Sequence, residues 1–217
     1  MSTKTEGKHC AEFLVSEANG YRSREAVTVL SGQNLNSGAV LGRKLVSPTI
    51  GAAAALGTNT GNGAFGSVTA GANGAIQRGT YKVSFIEPAT NLGAFVVYDP
   101  NGQYLGDGVV GSAFDNEITF TIADGATDFV SGDAFSIAVT GGTYKVKEYN
   151  PANTDGSQRP YGVLYDNVDA SSADKAGVAI VRAAEVRDAD LSWFSGATTT
   201  QKQTAKDALA AAGVIAR

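Results

Sequence analysis

The sequence predicts a mainly β protein with a small α component. Three observations carry that expectation. Short stretches in which apolar and polar residues alternate recur along the chain, divided by Gly, Asp and Asn turns. Glycine accounts for 27 of 217 residues and only 18% of residues are charged, a composition of many turns and buried strands. Only one segment, at the C-terminus, has helical periodicity. With 43% hydrophobic residues the chain is globular rather than disordered, and long enough for one large domain or two small ones.

The formal net charge is a mild -4, so no nucleic-acid-binding surface is indicated. Cys10 is the single cysteine; an intrachain disulfide is excluded, and folding in a reducing compartment is expected. The opening MSTKTEGKHCAEFLVSE has no apolar core of a secretory signal. The longest small-apolar run, residues 51–57, is far short of the ~20 residues that cross a bilayer. A soluble protein made without export and with no membrane partner is expected.

In chain order, residues 1–8 are polar and expected to be mobile in the free protein. Phe13, Leu14 and Val15 add a short apolar patch, and Asn19-Gly20 signals a turn. Residues 23–30 alternate toward a strand, and Ser31 to Asn34 break it. Residues 35–42 read as one strand of small residues that packs closely on its neighbours.

Between Ser47-Pro48 and Gly141-Gly142 the character changes. Residues 51–79 are almost wholly Gly, Ala, Asn, Thr and Ser. Alternating segments then follow at 80–87, 93–99, 103–110, 117–123 and 134–140, each closed by a Gly, Asp or Asn turn. In the first of these, Tyr81, Val83 and Phe85 share one face. Short strands so divided suggest an antiparallel sandwich or small barrel.

Residues 144–149 alternate again and end at Asn150-Pro151. The best-patterned stretch runs from Tyr161 to Trp193. Within it, 162–165 is a short apolar segment, 166–175 a polar turn, and 177–182 a buried strand that 185–188 continue. Leu191 and Trp193 supply a large apolar anchor. Residues 198–212 form the expected helix, with Thr200 as its cap and Gln203 placed for a capping box. Ala205, Ala208, Leu209 and Ala212 share a face, and Gly213 is a C-cap candidate.

Two of these stretches carry a family resemblance. In one, Gly162, Val163, Leu164, Val168, Asp169, Ala170, Ser171, Ala173 and Asp174 precede Ala179, Val181, Arg182, Ala184, Glu185, Val186, Leu191 and Trp193. In the other, Ser23, Arg24, Thr28, Val29, Gly32, Leu35, Gly38, Val40, Leu41 and Gly42 stand in matching order. Both runs resemble the head decoration proteins of tailed bacteriophages, the capsid-stabilising family that includes the lambda decoration protein. The resemblance flanks residues 51–140 on both sides, so that block reads as an inserted β domain similar to those of longer members.

The resemblance implies a structural virion protein that binds the outside of an expanded phage head as a homotrimer and stabilises it. Its partner would be the major capsid protein, its place the outer surface of the virion, and its site of synthesis the host cytoplasm. The implied parts are a capsid-binding arm, 1–22; a discontinuous β-tulip-like decoration domain, 23–50 and 141–217; and the inserted sandwich or barrel, 51–140. His9, Phe13, Leu14 and Val15 are the expected grip of the arm. Trp193 and Phe194 are expected either in the core or in a trimer interface.

No enzyme is expected, and no cofactor. Residues 61–66 match GxGxxG, but neither a preceding strand nor a following helix is in place, so a flexible loop is expected. His9 and Cys10 are adjacent without further metal ligands. Asp99, Asp107, Asp124, Asp128 and Asp133 lie in turns where Asx-turn bonding accounts for them. Asp166, Asp169 and Asp174 have no partner for acid–base work. The alternative from another class is a carbohydrate-binding or adhesin-like β-sandwich, with Tyr81, Tyr98 and Tyr104 stacking on a surface ligand of the inserted domain.

Overall fold

The structure is a computed structural model that describes residues 6–90 and 92–217. Its elements begin with β1 (Leu14–Glu17), a single turn α1 (Gly20–Ser23), β2 (Arg24–Val29), β3 (Gln33–Leu35) and the long β4 (Val40–Ala55). Next come β5 (Thr69–Ala70), β6 (Gly79–Ala89), β7 (Leu92–Tyr98), β8 (Tyr104–Val109), β9 (Ala113–Asp115), β10 (Ile118–Thr121) and the long β11 (Ala134–Glu148). The chain ends with β12 (Pro160–Leu164), β13 (Val168–Ala170), β14 (Lys175–Ile180), β15 (Ala184–Val186), α2 (Thr199–Ala211) and β16 (Val214–Ala216). The protein is mainly β with a C-terminal helix, as the composition predicts. Two compact units divide it, Met1–Lys44 with Tyr144–Arg217, and Leu45–Thr143.

In the first unit five strands close into a barrel. β2 pairs antiparallel with β14, β14 with β12, and β12 with the start of β4, whose other neighbour is β11. A parallel pair, Val29 with Val146, shuts the ring, and the Leu30 N–H donates to the Val146 carbonyl at 2.8 Å. Small and β-branched side chains suit so narrow an interior. Val29, Leu41, Val146, Leu164, Ala179 and Val181 fill it.

A second core lies on the other side of these strands. It gathers Phe13, Val40, Val163, Ile180, Val186, Leu209 and Val214 beneath the three-stranded sheet β1-β15-β16 and helix α2. Residues from both ends of the chain therefore share one apolar cluster. Burying each such side chain contributes about 1.5–3 kcal/mol.

Four local expectations are corrected here. Residues 35–42 are two strands, because Gly38 adopts φ +84° and a Cβ there would lie 2.6 Å from the Asp190 carbonyl oxygen. Only glycine meets both demands without strain. The polar turn 166–175 contains β13, which pairs with β3. The strand expected to run from 177 through 188 breaks at Ala183, φ +50°, and its halves join different sheets. The helix is capped at Thr198, whose side chain accepts from the Gln201 N–H while Gln201 caps back. Three threonines in a row left the cap register open, and the buried pair Ala205 and Leu209 settles it; Ala208 and Ala212 are exposed.

In the second unit β4, β11, β6, β7 and β8 form one sheet, and β5, β10 and β9 another. Phe65, Phe85, Phe95, Phe114, Phe120, Phe129 and Phe135 fill the space between, with Phe85 stacked on Phe129 at 4.1 Å and Phe65 against Phe120 at 4.6 Å. Such ring pairs add about 0.5–1.5 kcal/mol beyond their buried area. Residues 61–66 are a strap on this core rather than the expected flexible loop. A Cβ on Gly61 or Gly63 would come within 2.4–2.6 Å of Phe129, and Asp133 accepts from the N–H groups of Thr60, Gly61 and Val130 at 2.9, 2.9 and 3.1 Å.

Candidate functional site

The N-terminal segment and the surface it meets on the first unit are the strongest candidate for a site. Its local chemistry is a short turn: the His9 N–H donates to Glu12 at 3.1 Å and the Leu14 N–H to the Ala11 carbonyl at 2.9 Å. Long-range bonds then hold it. The Lys8 ammonium donates to the Asp190 carbonyl at 2.5 Å and to the Ser192 hydroxyl at 2.9 Å. Asn167 donates to the Lys8 carbonyl at 2.8 Å, and the Ala11 N–H to the Tyr165 carbonyl at 2.9 Å.

The expected arm residues part company at this point. His9 is exposed beside Glu6, at 3.2 Å. Phe13 is 1% exposed and lies in the second core. Leu14 is half-buried against the same core, while Val15 is 53% exposed. β1 pairs with β15 through a bulge between Leu14 and Ser16. As the end strand of its sheet it has no second strand partner among the described residues. The first five residues of the expected arm lie outside the described residues.

Charge fixes the base of this segment. Glu17 takes a bidentate hydrogen bond from Arg24 and another from the Ser23 hydroxyl at 2.5 Å. The Arg24 bond holds the Glu17 carboxyl below its ordinary range against the opposing effect of burial. On the outer face of the small sheet Glu185 accepts from Arg217 at 2.8 Å and Ser16 at 3.0 Å, and these bonds lower its pKa in the same sense.

Phe194 belongs to the core, edge-on to Tyr149 at 6.1 Å. Trp193 is half-buried and packs on the same cluster. The strand-like passage 190–192 runs beside Gly38, with Ser192 bridged to Ala39.

The other sequence candidates do not converge. Asp166 and Asp169 bond the backbone beside them, to Asn167 and Ser171, and Asp174 takes the Ser31 N–H and Lys145. Cys10 is exposed. Among the described residues no group of three His, Cys, Asp or Glu could hold a metal ion. In the second unit Tyr81 is fully buried and donates to Glu117 at 2.8 Å; burial, then that bond, pushes its phenol far up. It cannot stack on a surface ligand. Tyr98 and Tyr104 do stand together, rings edge-on at 6.3 Å, with Tyr104 56% exposed.

Lys8, Asn167, Asp190 and Ser192 were not legible as a set. Lys8 and its partners are 182 and 184 positions apart, and no local spacing marks such a pair.

A family model described as "Bacteriophage lambda head decoration protein D" matches residues 3–214. No curated protein is significantly similar to the chain. Two crystal forms of Xanthomonas campestris FlgL share 21% and 20% identity with it, each at a TM-score of 0.35 and over 51% of this chain. The matched part is about a third of the FlgL chain, 34% and 33%.

Proposed function

The chain belongs to the family of the bacteriophage lambda head decoration protein D, and from that membership we propose that it coats the outside of an expanded phage head as a homotrimer and stabilises the shell. The family match over nearly the whole chain is the observation that carries this reading. A member of this family is a structural protein of the capsid exterior.

The contact with the major capsid protein is assigned to the segment before Phe13, including His9, and to the outer edge of β1 with Val15. An unpaired strand edge accepts a strand from a partner through main-chain hydrogen bonds. Phe13 and Leu14 hold the root of the arm in the core. Three arms in one trimer turn weak single contacts into avidity. Residues 45–143 are read as an inserted domain that plays no part in shell binding. Tyr98 and Tyr104 favour a second role for it, stacking on a surface carbohydrate, which loss of oligosaccharide binding in Tyr104→Ala would test.

The decisive experiment mixes the protein, and a variant lacking residues 2–12, with expanded capsids and sediments them. Light scattering should give a trimer for both proteins, and only the full chain should co-sediment. A monomer, or a truncated protein that coats capsids at the same concentration, overturns the assignment.

A further inference from the structure

The barrel of the first unit carries a polar cavity that the capsid reading leaves unused. Side chains two apart on a strand share a face. Val29, Leu41 and Val146 are in the apolar interior, so Glu25, Arg43 and Tyr144 continue those same faces beyond it. With Thr28, Val146 and Tyr161 they line a cavity of about 200 Å³.

Arg43 is held by two aromatic side chains. Its guanidinium carbon lies 4.3 Å from the Tyr144 ring centroid and 4.4 Å from that of Tyr161. The side chain is exposed, and among the described residues it forms no salt bridge. The nearby carboxylate is already committed: Glu25 accepts the Tyr161 hydroxyl and pairs with Arg182. Arg43 also bonds the Tyr161 hydroxyl and feels the charge of Glu25; a guanidinium has five N–H donors in its plane, and those beyond the Tyr161 bond are the approach for a ligand.

We propose that this cavity receives a single carboxylate group, with Arg43 as the recognising residue. A planar carboxylate matches the guanidinium edge with two parallel hydrogen bonds. The small volume and the anionic Glu25 in the wall disfavour a dianion. A free organic acid and an acidic side chain of a polypeptide share this chemistry, and the test separates them.

The experiment titrates the full chain, followed by the NMR signal of the Arg43 Nε–H. The probes are acetate, acetamide, inorganic phosphate and a blocked Gly-Glu-Gly peptide. Acetate should shift the signal saturably and neutral acetamide should not, a comparison that requires no variant. Arg43→Gln should abolish the acetate response seen at tyrosine signals, and Arg43→Lys should weaken it about tenfold by losing the second bond. A peptide binding more tightly than acetate identifies a protein side chain as the source, and an equal or weaker one identifies a free acid. Equal responses to acetate and acetamide, tighter binding of phosphate, or an undiminished response in Arg43→Gln overturns the proposal.

Discussion

The two units solve the same β problem with different materials. The first closes a ring of strands on Val, Leu and Ala, and then recruits the chain ends to cover what remains: Phe13 from one end, Leu209 and Val214 from the other. Its surface is tied by charge, with Arg24 on Glu17, Lys145 on Asp174, Lys206 on Asp188 and Arg217 on Glu185. The second unit encloses seven phenylalanines drawn from within residues 45–143. A core that draws on both chain ends fails when either end is lost, whereas a core drawn from one continuous stretch depends on its own rings. The units should therefore answer separately to substitution, and Trp193, the single tryptophan, lies in the first and reports on it by fluorescence.

The largest effect should come from Phe13→Ala. Removing a fully buried ring leaves a cavity and costs about 3–5 kcal/mol. The expected result is a much earlier denaturant midpoint by Trp193 fluorescence. Phe95→Ala, in a ring cluster of the second unit, should cost about as much while leaving the Trp193 midpoint where it was. If Phe95→Ala moves that midpoint as far as Phe13→Ala does, the two cores are not independent and the comparison fails.

Acid sharpens the contrast. Asp155, in the first unit, accepts from the Ser157 hydroxyl and N–H, from Lys44 at 3.1 Å and from Lys147 at 3.4 Å. Burial alone would raise its pKa, but the Ser157 and Lys44 bonds and the charge of Lys147 outweigh it and bring it down to about 2. A depressed carboxylate pKa stabilises the fold fully above its unfolded value, near 3.8, and that contribution fades as pH falls through about 2. The full effect is about 2 kcal/mol. Asp155→Asn should lower first-unit stability at pH 6 by an amount of that order and match the parent at pH 2. An unchanged difference between the two at both pH values would exclude the linkage.

Thr198→Ala tests the cap register at a cost of about 1 kcal/mol. Thr200→Ala, the position the sequence pattern favours, should do less. The reverse order would restore the sequence reading. The second unit was the more legible of the two because β6, β7 and β8, and β9 with β10, pair as local hairpins. Alternation at Tyr81, Val83 and Phe85 marks the buried face, and all three are at most 2% exposed. The first unit was legible in its strands but not in their ends. Breaks at Gly38 and Ala183 are set by neighbours far along the chain, as is the closing pair Val29 with Val146. The burial of Phe13 was not legible because its partners, from Val40 to Val214, are distant in sequence. The glycine strap at 61–66 looked loose for a related reason: only Phe129 shows why side chains are excluded there. For the candidate site, composition marked the apolar patch at 13–15 but not which member is buried.

The smallest effect concerns where the arm ends. Lys8→Met removes the bonds to the Asp190 carbonyl and the Ser192 hydroxyl without touching the core. A typical hydrogen bond contributes about 0.5–1.5 kcal/mol net, and here that energy is local, because Phe13 and β1 anchor the chain just beyond. The Trp193 midpoint should therefore stay within experimental error of the parent. The Ala11 amide, which donates to the Tyr165 carbonyl at 2.9 Å, should exchange with solvent about threefold to tenfold faster, the equivalent of that energy. The amide of Arg187, which donates to the Phe13 carbonyl at 2.7 Å, should not change. Faster exchange at both amides would mean that Lys8 supports the core rather than the arm alone, and the boundary between a releasable segment and the folded body would have to move past Phe13.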